Sequence, residues 1–492
     1  MKGGITVTLG CVLLVLASLL GPALFLKRWT DDVWKERALA VTNLFWANQS
    51  EIIVKTNVWQ GISVTRKMLN CSPSTVCSAS SWLPLVKKSS YKDEAAFCPF
   101  YFKWIRQDMK PWAKSGITID MVEAANPEAS FRLTVVNGRM FIESYRKCYQ
   151  SRDLFTIWGI AQLLKFYPRL LPDLDLMFNC DDNPVIHRGD YNDSTKPPPP
   201  LFRYSGSEDT FDIVFPDWSF WGWPEIRTPP WETLAKEIQN GSQKVKWEDR
   251  DPTAYWKGNP YMGQGRQDLM NCIHRRHWGG RLYNQDWDKE TRQGFRHSKL
   301  SDQCHHRYKI YIEGNAWSVS LKNIMACDSP TLLITPQYYD FYLRGLVPQR
   351  HYWPIRADKK CDSIQFAVDW GNKHPKEAME IAKEAIKFIQ NELKMSNVYD
   401  YMFHILNEYS KLLKYKPSVS EKAAEYCSET IFCFANEAEE DYMKDSVVTT
   451  ASASPPCKLG DLEWEEKAIK EFLVKKANSI DYVKHLEDIG SV

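Results

Sequence analysis

The sequence predicts an α/β protein of two successive Rossmann-like halves that face each other, carried behind a membrane anchor and a stem. Three observations carry this. Strand-like and helix-like runs alternate through two stretches separated by a composition break near residues 241–251, the pattern of βα units on mostly parallel sheets. An uncharged apolar run occupies Ile5 to Leu26. The chain has 492 residues, 44% of them hydrophobic, enough for two ordinary cores, since single cores stop growing beyond about 250–300 residues.

The apolar run comes first. Its 22 residues, at about 1.5 Å each, cross a hydrocarbon layer of about 30 Å. It is longer than the apolar core of a cleaved signal peptide, about 7–15 residues, so we expect an uncleaved signal anchor. Lys2 is opposed by Lys27 and Arg28, so flanking charge does not fix the orientation. The acceptors Asn48, Asn70, Asn192 and Asn240, each in an N-x-S sequence, lean towards the lumen. So do the cysteines: 13 in all, and twelve once Cys11 in the apolar run is set aside (13 − 1), an even number suited to pairing in an oxidising compartment. A net charge of +2 advertises no nucleic-acid surface.

Residues 27–97 read as a stem, with patchy periodicity and frequent Ser and Thr. The first half spans 98–245. Phe131 to Val136 and Arg139 to Ile142 are strands around the hairpin signal Asn137-Gly138. Phe155 to Phe166 is a helix with Ile157, Ile160, Ala161 and Leu164 on one face, and Leu174 to Phe178 a buried strand. Pro197 to Pro200 is a stiff connector, Asp212 to Phe215 a short strand and Trp231 to Ile238 a helix. The second half spans 246–374, with strands at Ala254 to Trp256, Tyr308 to Ile312 and Thr331 to Thr335 and helices at Arg266 to Cys272 and Ser320 to Ala326. Closing helices fill 375–416. In the extension 417–492, residues 451–456 read as a linker and Leu462 to Leu473 as an amphipathic helix.

In open α/β sheets ligands bind beyond the carboxyl ends of strands. Two places qualify. Asp181-Asp182 follows the Leu174 to Phe178 strand, where a carboxylate can take a proton from a hydroxyl; the plainer reading is a turn before Pro184. Lys257-Gly258-Asn259 follows the Ala254 to Trp256 strand, where a cation and a glycine suit a diphosphate; the plainer reading is a strand-to-helix turn. There is no Walker loop, no His-Glu-x-x-His, no G-x-S-x-G and no G-x-G-x-x-G after a strand. The pairs Asp173/Asp175, Asp249/Asp251 and Asp286/Asp288 are expected as solvated turns, and His274 and His277 as a surface loop.

The blocks LPDLDLMFNCDDNP, FPDWSFWGWPEI, YWKGNP with Arg266 downstream, CHHRYKIYIEGNAWSVSLKNIMACDSPTLL and HYWPI occur in one order. As a set they resemble the Rumi-type protein O-glucosyltransferases, glycosyltransferase family 90, over about Cys98 to Tyr415, closest to the plant branch. The resemblance implies a GT-B-like fold with the donor held mainly by the second half, no bound metal, and inversion by one carboxylate base. In the motif N-x-x-D-x-P the base falls on Asp182, framed by Asn179 and Pro184. Asp181 stands where animal members often carry Arg, and a second carboxylate beside the base would raise its pKa.

For the donor, the resemblance implicates Lys257, Gly258, Asn259, Arg266 and Lys322. It departs at Ser320, where animal members carry an Arg that grips the diphosphate, so Arg307, Lys309 or Lys322 is expected to supply that charge. Cys304 and Cys327 fall on a family disulfide. The implied function is an inverting transfer of glucose or xylose from a UDP-sugar to a hydroxyl of a secretory-pathway protein or glycan. The body would lie in the lumen of the Golgi or endoplasmic reticulum. The rivals are a cell-wall polysaccharide transferase and a silent glycan-binding relative.

Overall fold

The computed structural model describes residues 76–77, 95–191 and 197–490. The anchor, nearly all of the stem, and Asn48, Asn70 and Asn192 lie outside the described residues. Among the described residues no helix is long and apolar enough to cross a membrane.

After short helical turns between residues 100 and 128, the first half's sheet begins with β1 (Phe131–Val136) and β2 (Arg139–Ser144). Asn137 and Gly138 both take positive φ, 53° and 74°, which lets the two-residue turn match the strand twist. Helix α1 (Arg152–Phe166) is buried along almost its whole surface, because its residues are apolar nearly all round. It is followed by β3 (Leu174–Phe178), β4 (Leu201–Arg203), β5 (Gly206–Ser207) and β6 (Ile213–Val214). The Pro197 to Pro200 tract leads directly into β4. Helix α2 (Trp231–Ser242) closes this half.

The second half contains β7 (Asp251–Gly258), α3 (Gln264–Met270), β8 (Gly280–Asn284), β9 (His306–Tyr311), α4 (Ser320–Met325), β10 (Thr331–Ile334), β11 (Tyr338–Tyr339) and β12 (Trp353–Ile355). Then come α5 (Lys360–Lys373), α6 (Pro375–Asn391), α7 (Met395–Ser410), β13 (Ala424–Tyr426) and α8 (Leu462–Asp488).

The second sheet has the order β12-β10-β9-β7-β8, all parallel, a doubly wound arrangement whose strand order reverses between β7 and β9. The first sheet, β13-β2-β1-β3-β4-β6, departs from the expected Rossmann pattern. Only β3, β4 and β6 run parallel; β1, β2 and β13 add as antiparallel strands. The carboxyl-end loops of the two sheets meet. β5, just past β4, pairs antiparallel with β11, just past β10, through Ser207↔Tyr338 and Gly206↔Tyr339.

One apolar cluster runs through the first half into Tyr311, Trp317, Leu321 and Leu333, and a second fills the β7–β12 sheet. Helix α6 serves both, giving Ala378 and Ile381 to the second and Ala385, Phe388 and Ile389 to the first. The extension is part of the body. β13 joins the first sheet, Cys427 bonds Cys77, and Cys457 bonds Cys98. Residues 451–456, expected as a linker, are held at Ser452, whose N–H donates to the Phe166 carbonyl. The helix expected over Leu462 to Leu473 runs on to Asp488. Of the even set of cysteines, Cys148–Cys180, Cys272–Cys361 and the expected Cys304–Cys327 are also bonded, and Cys433 is disulfide-bonded too.

One member of the acidic pairs is not solvated. Asp175 is fully buried in β3, where it accepts a bidentate contact from Arg132 at 2.7 and 2.6 Å and a hydrogen bond from the Tyr415 hydroxyl at 2.8 Å. Burial without these partners would cost several kcal/mol, on the order of 3–5 for one broken half of such a pair.

Candidate functional site

The carboxyl end of β3 turns sharply into the acidic pair. Asn179 is buried; its side-chain amide donates to the Glu128 carbonyl and its Oδ1 accepts from the Asp181 N–H at 2.7 Å. This local loop sends the two carboxylates apart. Asp181 is half exposed and pairs with Arg146 at 2.7 Å. Asp182, 28% exposed, pairs with Arg152 at 2.7 Å, and its carbonyl accepts from Ser205 Oγ. Each carboxylate therefore meets its own guanidinium.

The partner segment is pinned as well. Disulfide Cys148–Cys180 joins the residues before α1 to the residue before Asp181. Arg152, buried at the start of α1, donates to the Cys180 carbonyl at 3.0 Å and lies over the Trp218 ring at 4.4 Å. Sequence reasoning missed Arg146, Arg152 and Trp218. Arg146 and Arg152 are 35 and 30 residues from their partners, and the β1–β3 pairing with the Cys148–Cys180 disulfide brings the segments together.

On the second sheet the switch point lies between the carboxyl ends of β7 and β9. Arg266, from α3, joins the two loops there. Its guanidinium donates to the Glu313 carbonyl at 2.9 Å, the Asn259 carbonyl at 3.2 Å, the Ser318 hydroxyl at 3.3 Å and the Ile312 carbonyl at 3.4 Å. Burial lowers its pKa, and Tyr311, Glu313 and the Asp182 carboxylate oppose that shift.

The loops themselves touch closely. A Cβ on Gly263 (φ +98°) would meet the Gly314 carbonyl at 2.7 Å, and one on Gly258 would meet the Trp256 ring at 2.5 Å. Asn259 Oδ1 accepts from the Tyr261 N–H at 2.9 Å and shapes the turn. The Ser320 hydroxyl shares a hydrogen bond with the Ser318 hydroxyl at 2.9 Å. Arg266 thus draws the two loops together beyond the carboxyl ends of β7 and β9, the place where open α/β sheets have their ligand crevice.

The remaining cations are placed elsewhere. Lys257 points from β7 to the His297 carbonyl and to Glu290 at 3.8 Å, and burial lowers its pKa. Arg307 sits at the amino end of β9, bonded to the carbonyls of Trp247 and Glu248, roughly 15 Å of strand from the switch point. Lys309 is buried, bonded to the Gln303 carbonyl at 2.8 Å and stacked over Tyr255 at 4.0 Å; burial lowers it to about 7. Lys322 is buried between the halves, 2.7 Å from Ser219 Oγ and 3.8 Å from Asp217. Of the three cations expected to stand in for the missing Arg at Ser320, Arg307 lies at the amino end of β9, and Lys309 and Lys322 are buried against partners of their own; the guanidinium between the two loops is that of Arg266.

His274 and His277 are exposed, as expected for a surface loop. The cluster Cys98, His404 and Cys457 has the proximity of a metal site, but its thiols form a disulfide and His404 Nε2 lies 2.8 Å from the Cys457 carbonyl. Asn240 is exposed on the last turns of α2.

Residues 93–487 match the family described as glycosyl transferase family 90. An O-glucosyltransferase rumi homolog from Aedes aegypti is 24% identical over 345 residues, covering 66% of this chain and 81% of that protein. Protein O-glucosyltransferase 1 from Rattus norvegicus is 26% identical over 335 residues, 65% of this chain and 81% of that protein. The O-glucosyltransferase rumi of Drosophila melanogaster is 23% identical over 345 residues, 67% and 81% respectively.

Proposed function

The chain belongs to glycosyl transferase family 90 and is a glycosyltransferase, and from that premise we propose an inverting transfer of glucose or xylose from a UDP-sugar to a hydroxyl of a secretory-pathway protein or glycan. The supporting observation is how the two carboxyl-end faces meet: β5 pairs with β11, and Trp317, on the loop that holds Arg266, packs on Trp218 beneath Arg152, the partner of Asp182. The reading makes the two sheets a GT-B-like pair with acceptor and donor meeting between them.

In this reading the 258–263 and 312–320 loops hold the UDP diphosphate in the field of Arg266. Asp182 takes the proton of the acceptor hydroxyl as its oxygen attacks the anomeric carbon from the face opposite UDP. The new C–O bond forms, the bond to the phosphate oxygen breaks, and UDP leaves with the electron pair. Backbone amides and a fixed guanidinium, already oriented, stabilise the departing charge without a metal. Residues Ile5 to Leu26 anchor the chain as a type II protein of the Golgi or endoplasmic reticulum, with the body in the lumen and glycans on Asn48, Asn70, Asn192 or Asn240.

The test is UDP release by the full-length chain in detergent across UDP-glucose, UDP-xylose and other nucleotide sugars, then with protein and xylan-oligosaccharide acceptors. Release from UDP-glucose or UDP-xylose, stimulated by an acceptor and unchanged by chelator, is expected. No release from any donor, or a rate that collapses in chelator and returns with manganese, sinks the reading. Protease treatment of sealed microsomes tests the topology: a body digested from outside and free of N-glycan would place it in the cytoplasm.

A further inference from the structure

Trp317 lies on the loop between β9 and α4 whose carbonyls and hydroxyl hold Arg266. The loop is fixed at its far end as well, where the Ser318 N–H donates to the Tyr311 hydroxyl at 3.1 Å. Yet the ring of Trp317 does not stay with its own sheet. It is buried against the first half, edge-on to Trp218 with centroids 6.2 Å apart and tilted on Tyr204 at 5.7 Å. Those two residues hold Arg152. Trp218 lies under its guanidinium at 4.4 Å, and the Tyr204 hydroxyl donates to the Arg152 carbonyl at 3.3 Å. Arg152 in turn holds the Asp182 carboxylate.

We propose that Trp317 is a positioning residue that couples the donor crevice to the base, so that the state of the 312–320 loop sets where Asp182 stands. The inference rests on the proposed roles of Asp182 and of the crevice. Its physical basis is the kind of contact made. Trp317 Nε1, Trp218 Nε1 and Arg152 Nε find no hydrogen-bond partner among the described residues, so Trp317 meets the first half through ring volume, beside the Lys322–Ser219 hydrogen bond, and the cation–π contact passes the support on to Arg152. A loop displaced by an arriving diphosphate moves the ring, and the ring moves the support under Arg152. Misplacing a reacting group by about 1 Å can cost on the order of 100-fold in rate.

The experiment measures hydrogen exchange of the full-length protein with and without UDP, in the wild type, Trp317→Ala and Trp317→Phe. In the wild type, UDP should slow exchange in residues 257–266 and 312–322 and also in 150–156 and 179–185. Trp317→Ala should keep the first pair of effects and lose the second, and Trp317→Phe should retain both because volume is what the seam requires. Turnover should follow: in Trp317→Ala, kcat falls about 10–100-fold while the donor KM changes less than about threefold, and a larger share of UDP-glucose is lost to water rather than to acceptor. The proposal is overturned if UDP protects 179–185 equally in Trp317→Ala, if Trp317→Phe behaves like Trp317→Ala, or if UDP protects neither region in the wild type. Asp182→Asn separates the two claims: if it stays active the base assignment fails, whereas the exchange coupling does not depend on that assignment.

Discussion

The two sheets position their working groups by opposite means. The first holds a side chain: Asp182 is set by Arg152, its neighbour Asp181 by Arg146, and both by a disulfide one residue upstream. The second holds backbone: two glycine-containing loops are joined at their carbonyls by Arg266. The difference fits the chemistry proposed for each. A base has to aim one oxygen at one proton, which takes charge pairs and crosslinks. A diphosphate with many acceptor atoms is held by several amides at close approach, which takes chain without side chains in the way.

The largest effect should come from removing the aimed oxygen. Asp182→Asn keeps the shape and cannot take the proton, so transfer should fall by about 10²–10⁴-fold or more with an unchanged melting curve. More than half the activity remaining would break the comparison at its first term. Arg266→Ala should act on the other term. It unties the two loops, and the donor KM should rise about 10–100-fold with a smaller change in kcat; a pure loss of kcat would mean that Arg266 serves the first sheet instead.

The crosslinks sharpen the contrast. Replacing Cys148 and Cys180 by Ser opens a link across 32 residues, worth about 3–4 kcal/mol on chain entropy, and should also lower kcat because the base loop loosens. Replacing Cys304 and Cys327 opens a link across 23 residues at the amino end of the second sheet, at a similar cost of about 3 kcal/mol, and should leave kcat nearly unchanged. Equal effects on kcat, measured at a temperature where both variants are folded, would show that the disulfide at the base loop has no special role.

Acid should weaken the first half at a named place. Burial pushes His404 on α7 down to about 4, against an unfolded value near 6.5. Between those values the unfolded chain binds a proton that the folded chain refuses. Stability is therefore intact above about pH 6.5 and falls as pH drops towards 4, by up to about 3 kcal/mol for this group. The pH dependence of thermal unfolding should flatten in His404→Gln, and an unchanged slope would refute the assignment. The smallest effect is expected of Asp181→Asn. Its ion pair with Arg146 is half exposed, a class worth about 0–1 kcal/mol, so activity should stay within about threefold. A loss comparable to that of Asp182→Asn would move the base to Asp181.

Much of this was legible along the chain. The Asn137-Gly138 turn, the buried Leu174 to Phe178 strand and the alternation in the second half come from local preferences, because turn geometry and periodicity are properties of neighbouring residues. The positions of Asp182, Gly258 and Asn259 at strand ends were readable for the same reason, once a strand was seen to stop. The mixed character of the first sheet was not, because β13 arrives from 280 residues downstream of β2 and its three residues carry no period.

What tertiary structure alone decided is which charges are free to act. Arg307, Lys309 and Lys322 look in sequence like any cations near a phosphate motif. Strand direction sends the first to the amino end of the sheet, and burial commits the other two to the Gln303 carbonyl and to Ser219 with Asp217. Arg152 and Trp317 look like ordinary helix and core residues, yet through Trp218 they connect Asp182 to the 312–320 loop. A sequence states the charge and size of each residue. Which group it neutralises or supports depends on distances across the fold, and those are set only when the two sheets pack.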